Sequence, residues 1–263
     1  MAPPSQPWWR RALGRAVGTG GPRLSGEPTS ANGASSFHLT WVLPPVPPLV
    51  EVSAVLEVVT PPAVDRLYFW ALQVAFVDRG ADRGAAHVGL QWNRRHPGGR
   101  AVNWGGYAPG GGLLRGSASP LPSAPDDPNT RDLPWEPGRP YRLRVSRSPA
   151  GAGAWRGEVA DVGTGAATVV RDLYAGGDAL ARPVVWSEVF ARCEHPSVTV
   201  RWSGFEAVTG AGERVRPTGL AVNYQATAAG GCDNTLSVPD GDGGVLQVTG
   251  TDRRATPGGL IAL

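Results

Sequence analysis

"RLYFWALQVAFV", Arg66 to Val77, is apolar on both faces of an extended chain. That pattern suits a central β-strand with a second sheet against one face and loops or ligand-facing residues against the other. Its neighbours alternate. "FHLTWVL" puts Phe37, Leu39 and Trp41 opposite His38, Thr40 and Val42, and "LVEVSAVLEVV" puts Val50, Val52, Ala54, Leu56 and Val58 opposite Glu51, Ser53 and Glu57. "AHVGLQWN" sets Val88, Leu90 and Trp92 against His87, Gly89, Gln91 and Asn93. "RPYRLRVSR" sets Tyr141, Leu143 and Val145 against Arg142, Arg144 and Ser146, and "PAGAG" then turns it into "AWRGEVADV" as a hairpin. "PPVPP" removes backbone donors between the first two strands and reads as an exposed connection.

No segment holds an apolar period of 3.6 residues for three turns. Short strands with frequent turn signals argue for an all-β fold, an antiparallel β-sandwich. The 37 glycines and 26 prolines of the 263 residues supply the turns, and hydrophobic residues at 41% supply a sizeable core. Residues 1–35, rich in Pro, Gly, Ser and Arg, read as a flexible or docked arm. Residues 36–263 read as one sandwich domain. Trp8 and Trp9 in the arm are candidates for docking on the domain or on a protein partner.

All 25 basic residues are Arg, scattered in pairs at most, and the net charge is +3. A phosphate-tracking surface needs clustering, so nucleic acid is not an expected partner. No apolar run reaches the roughly 18 residues of a membrane span. The N-terminus has an Arg pair with no apolar stretch of about 7–15 residues behind it, so no export signal is read there. Cys193 and Cys232 have no metal-type spacing. Two readings stay open, a disulfide implying an extracytoplasmic setting or a pair of free thiols.

"YFWALQVAF", a short glycine loop, "HVGLQWN" and "NWGGY" together resemble an uncharacterised bacterial family, a domain of unknown function, over residues 37–205. The residues carrying the resemblance are Tyr68, Trp70, Gln73, Gly89, Leu90 and Gln91. The resemblance implies a concanavalin-like, lectin-like jelly roll found in proteins linked to glycan use. It implies no catalytic residues.

The expected function is non-catalytic carbohydrate binding on a concave sandwich face, with an oligo- or polysaccharide as partner. Gln73, Gln91 and Asn93 would fix hydroxyl groups, and Trp104, Tyr107 and Trp135 would stack on sugar rings. Trp70, Trp186 and Trp202, set in strand runs, are expected in the core. A glycan hydrolase or lyase is the alternative, since an acid and a partner carboxylate could come from separate strands. Glu188 is its candidate, and Glu194 and Glu206 lie in other turns and strands. A structural module without a small ligand is the third reading. No cofactor is required. Calcium is the metal to consider, because "PDGDGG" offers Asp240 and Asp242, although the downstream bidentate carboxylate of a calcium loop is missing and turns use the same residues for backbone reasons.

Overall fold

The computed structural model describes residues 22–253 and 257–263. Trp8 and Trp9, and most of the expected arm, lie outside the described residues. The first strands are β1 (Ser35–Val42), β2 (Leu49–Thr60), β3 (Tyr68–Asp78), β4 (Ala81–Trp92), β5 (Arg100–Tyr107) and β6 (Thr130–Asp132). Next come β7 (Pro140–Arg147), β8 (Ala154–Asp161), β9 (Ala167–Tyr174), β10 (Ala179–Val189) and β11 (Thr199–Thr209). The last are β12 (Arg214–Val215), β13 (Gly219–Tyr224), β14 (Thr235–Pro239), β15 (Val245–Thr249) and β16 (Leu260–Ala262). Two short 3-10 turns are the remaining regular elements among the described residues.

Every pairing between these strands is antiparallel. The front layer runs β16-β13-β1-β10-β3-β4-β5-β6. The back layer runs β14-β15-β11-β2-β7-β8-β9, with β12 beside β11. The layers meet at one paired position, Leu180 with Leu49, where hydrogen bonding passes from β10 to β2. The all-β antiparallel reading of the sequence therefore holds.

The core lies between the layers. On β3 the inward residues are Tyr68, Trp70, Leu72, Val74 and Phe76, all buried. Phe76 stacks tilted on Trp155 of β8 at 5.7 Å, and Trp41 of β1 meets Phe205 of β11 edge-on at 5.4 Å. Trp104 of β5 sits over Gly157 of β8, where a Cβ would come within 2.5 Å of the indole Cγ. Glycine is required there to let the two layers close over the ring.

One polar group crosses this apolar interior. Gln247 on β15 accepts from Ser187 Oγ of β10 at 2.7 Å and from Trp202 Nε1 of β11 at 3.0 Å. Its amide nitrogen donates to the Phe37 carbonyl of β1 at 3.1 Å. A buried amide is tolerated only with its partners in place. Here both its ends are satisfied, and they tie the two layers together.

The cysteines form a disulfide, Cys193–Cys232, across 39 positions. It anchors the ground on which residues 22–34 lie. Arg23 N donates to Asp233 at 2.7 Å, Gly26 N to Glu194 at 2.8 Å and Thr29 N to the Gly230 carbonyl at 3.0 Å. This described part of the expected arm is docked on the domain. The stretch between β5 and β7 contributes β6 and sends Leu114 and Trp135 into the core.

Two outcomes test this packing. Gly157→Ala should lower stability by about 1–3 kcal/mol through overpacking against Trp104, read as an earlier urea midpoint. Cys193→Ser together with Cys232→Ser should cost roughly 4 kcal/mol, the loop-closure value for this separation, with the strand signature in circular dichroism retained at low temperature.

Candidate functional site

The sandwich has two outer faces, and their chemistry differs. On the back layer, strand alternation turns charged residues outward and they pair. Arg144 of β7 reaches Glu158 of β8 at 2.7 Å and Glu51 of β2 at 3.6 Å. Arg156 forks onto Asp172 at 3.0 and 3.2 Å, and Arg214 and Arg216 share Glu206 at 3.1 and 3.8 Å. Arg201 holds Asp240. This is a solvated, salt-bridged exterior, each pair of which contributes little to stability.

The front layer carries no such ladder. The residues opposite the core form three lines across the strands. The middle line is Asn223, His38, Trp186, Ala71, Gly89, Asn103 and Thr130, each directly paired with the next. Above it run Ala221, Thr40, Val184, Gln73, His87 and Gly105. Below it run Ser36, Glu188, Phe69, Gln91, Ala101 and Asp132. None of these residues is Arg. The face is amide, imidazole, hydroxyl and aromatic on a ground of Gly and Ala, with Val184 and two carboxyl groups, Glu188 and Asp132.

Its centre is an aromatic cluster outside the main core. Trp186 and Phe69 meet at 4.9 Å, and His87 lies 5.4 Å from each, all edge-on. The Trp186 indole N–H donates to Gln73 Oε1 at 3.2 Å. Around this floor His38, Gln73, His87, Val184 and Asn223 are half-buried, and Thr40 is exposed. The Nδ1 of His38 is buried and has no hydrogen-bond partner. Burial holds both imidazoles neutral, lowering His38 and His87 to about 4.

Glu188 stands at the edge of the cluster. Asn32 Nδ2 donates to its Oε1 at 3.1 Å, and Ser36 Oγ lies 3.4 Å away. Burial pushes its carboxyl up to about 7, and those two hydrogen bonds only partly offset it. Among the described residues no cation pairs with it.

The structure divides the expected binding set. Gln73 and Gln91 both lie on the front outer face but do not bond each other. Gln91 accepts from Asn93 Nδ2 at 3.0 Å, which places Asn93 beside the same edge. Trp104 and Trp135 are 0% and 1% exposed and belong to the core, so neither offers a ring to a ligand. Trp104 is paired with Val88, on the inward phase of β5. Trp135 packs edge-on to Trp70 and Trp92 at 6.0 and 6.4 Å, and its N–H donates to the Gln91 carbonyl at 3.2 Å. Tyr107 ends β5 on the outward phase, 37% exposed and paired with Ala85, two residues along β4 from His87. Trp186 is buried as expected, at 4% exposure, but it lies in a small separate cluster with Phe69 and Ala71 on the outward phase of β10, because the inward residues of that strand are Val185, Ser187 and Val189.

Asp240 and Asp242 do not gather a ligand set. The Oδ1 of Asp240 accepts from Asp242 N and Gly244 N, both at 2.8 Å, in the β14–β15 turn, and its Oδ2 faces Arg201. Among the described residues no three His, Cys, Asp or Glu side chains come together as a metal site. Nor is any helix of the described residues long and apolar enough to cross a membrane. The signal missed in the sequence is the run His38, His87, Phe69 and Trp186, which only strand pairing brings together.

No family model matches the chain, and no curated protein matches it. Among solved structures it is similar to Scytalido-glutamic peptidase bound to a peptide-based transition-state analogue, at 11% identity and TM-score 0.47, covering 81% of this chain and 97% of that one. It is similar to SCP-B of the eqolisin peptidases, in complex with a tripeptide, at 10% identity and TM-score 0.45 with the same coverage. It is also similar to carbohydrate-binding module CBM66 from Bacillus subtilis, at 10% identity and TM-score 0.33, covering 64% of this chain and 92% of that one.

The Glu188 carboxyl makes a pH prediction. Its folded value is raised above the unfolded 4.5 to about 7, so its contribution to stability is full below 4.5 and is lost as pH rises through 7. Glu188→Gln removes that loss. The variant should therefore gain on the parent between pH 4.5 and 8, by on the order of 3 kcal/mol at most, measured as the difference in urea unfolding free energy. The histidines act in the other direction, stabilising above their usual 6.5 and losing this as pH falls toward 4, and both proteins share that limb.

Proposed function

We propose that the front outer face binds an uncharged polar polymer, a glycan, without cleaving it. The observation carrying this reading is the contrast between the two exteriors. The back is an Arg–carboxylate ladder, while the front presents neutral donors and acceptors around an aromatic floor. Sugar hydroxyls need such groups, and the apolar faces of sugar rings need aromatic area. Gln73, His38, His87 and Asn223 form the polar rim, and the edges of the buried Phe69 and Trp186, 6% and 4% exposed, lie beneath them. Gln91 and Asn93 extend the face toward its edge.

Binding is favoured over hydrolysis by the carboxylates. Glycosidic cleavage uses a pair about 5–9 Å apart. On the three lines described, Glu188 and Asp132 are the two carboxyl groups. They are four strand spacings apart, roughly 19 Å, and Asp132 is taken by His96 Nδ1 at 2.7 Å. Glu188, its carboxyl raised toward neutrality by burial, instead serves as a hydrogen-bonding group at the rim. The Cys193–Cys232 bridge supports an oxidising, extracytoplasmic setting, where polysaccharides are met.

Titration with a panel of neutral oligosaccharides should quench or shift tryptophan fluorescence through Trp186 and release no reducing ends. Gln73→Ala and His87→Ala should each weaken binding about tenfold, one lost hydrogen bond to ligand, with unchanged circular dichroism. If the intact protein binds none of the panel, or if it releases reducing ends, this reading is wrong.

A further inference from the structure

A second site lies at one end of the sandwich, away from the front face. There the ends of the two layers are bridged by residues 108–117. Leu113 pairs with Tyr107 at the end of β5, Gly116 pairs with Leu173 of β9, and Tyr174 N donates to the Arg115 carbonyl at 2.8 Å. Between these ends is a cleft of about 630 Å³, lined among others by Asp82, Arg83, Leu113, Leu114, Arg115 and Tyr174. That volume falls within the range of ligand sites, about 300–1,000 Å³.

Leu113 is 63% exposed and Tyr174 49%, so apolar area is left open at this place. Clustered exposed apolar groups of this kind mark binding sites more often than scattered ones do. The charges are unequal. Arg83 is engaged by Asp78 at 2.5 Å. Asp82 accepts from Gly84 N at 2.9 Å and lies 3.5 Å from Arg182. Among the described residues the exposed Arg115 guanidinium has no hydrogen-bond or ion-pair partner, while its backbone is fixed beside Tyr174.

An unengaged guanidinium next to a half-open phenol ring matches a ring-shaped ligand bearing a carboxylate. We infer that this cleft binds the acidic sugar units of a carboxylated polysaccharide. The carboxylate forks onto Arg115, and the sugar ring lies against Tyr174 and Leu113. The inference goes beyond the front-face reading and stands on different residues. A chain carrying both neutral and acidic units could engage both places.

The test is calorimetric titration of the full chain with an oligo-hexuronate, with its neutral counterpart and with a poly-glutamate peptide. The uronate should bind, more weakly at higher salt. Arg115→Gln should weaken it roughly ten- to hundredfold, and Tyr174→Ala should weaken it as well. Arg115 is exposed, so an unchanged unfolding midpoint verifies that the variant is folded. Gln73→Ala should leave uronate binding intact, which separates this site from the front face. The inference is overturned by absence of uronate binding, by equal affinity for the peptide, or by an Arg115→Gln variant that binds uronate as the parent does.

Discussion

Alternation along a strand is the constraint on which the site depends. Once Tyr68, Trp70, Leu72, Val74 and Phe76 are committed to the space between the layers, Phe69, Ala71, Gln73 and Ala75 have only the outside left. Antiparallel pairing then carries this phase sideways. Trp186 and Glu188 on β10, His87 and Gln91 on β4, and His38 on β1 are placed outside by the register with β3 or with its neighbours. The front face is thus a by-product of core packing, and a slip of one residue in any of these strands would dismantle both together.

The two exteriors show what the chain does with the freedom that remains. Outward positions on β2, β7, β8 and β11 carry Glu51, Arg144, Glu158, Arg201 and Glu206, which water and counter-charges satisfy cheaply. Outward positions on β1, β3, β4 and β10 instead carry side chains that are expensive to crowd together. Two imidazoles are kept neutral and a carboxyl is raised toward neutrality, all by burial. The cost in stability of crowding these groups falls on that one face.

Much of the architecture was legible in residues 37–58 and 66–93, where hydropathy alternates or runs continuously. The inward sets on β1, β4 and β7 are the ones the sequence pattern assigns. The tryptophans were harder, because a ring is apolar in either place. Trp104 and Trp135 have glycine, proline and charged neighbours, which suggested exposure. Yet Gly157 opposite Trp104 makes the room that buries it, and that vacancy comes from a strand over fifty positions away. Trp186 sits in "PVVWSEV", apolar on both sides, so hydropathy could not set its phase. A serine, Ser187, faces inward there because Gln247 waits to receive its hydroxyl. The disulfide was one of two open readings, and the proximity of Cys193 and Cys232 is a property of the folded loops alone.

Gln247 has a further consequence. Apolar layers can slide past one another at small cost, since one methyl group serves nearly as well as the next. An amide whose carbonyl and amino ends are claimed by β1, β10 and β11 at once fits a single alignment. Shearing the layers by one residue pair would strand it in hydrocarbon, at a cost of about 1–3 kcal/mol per orphaned group. Its value to the fold therefore lies less in holding the native arrangement down than in lifting the near-miss arrangements up, which is how a greasy interior acquires one address.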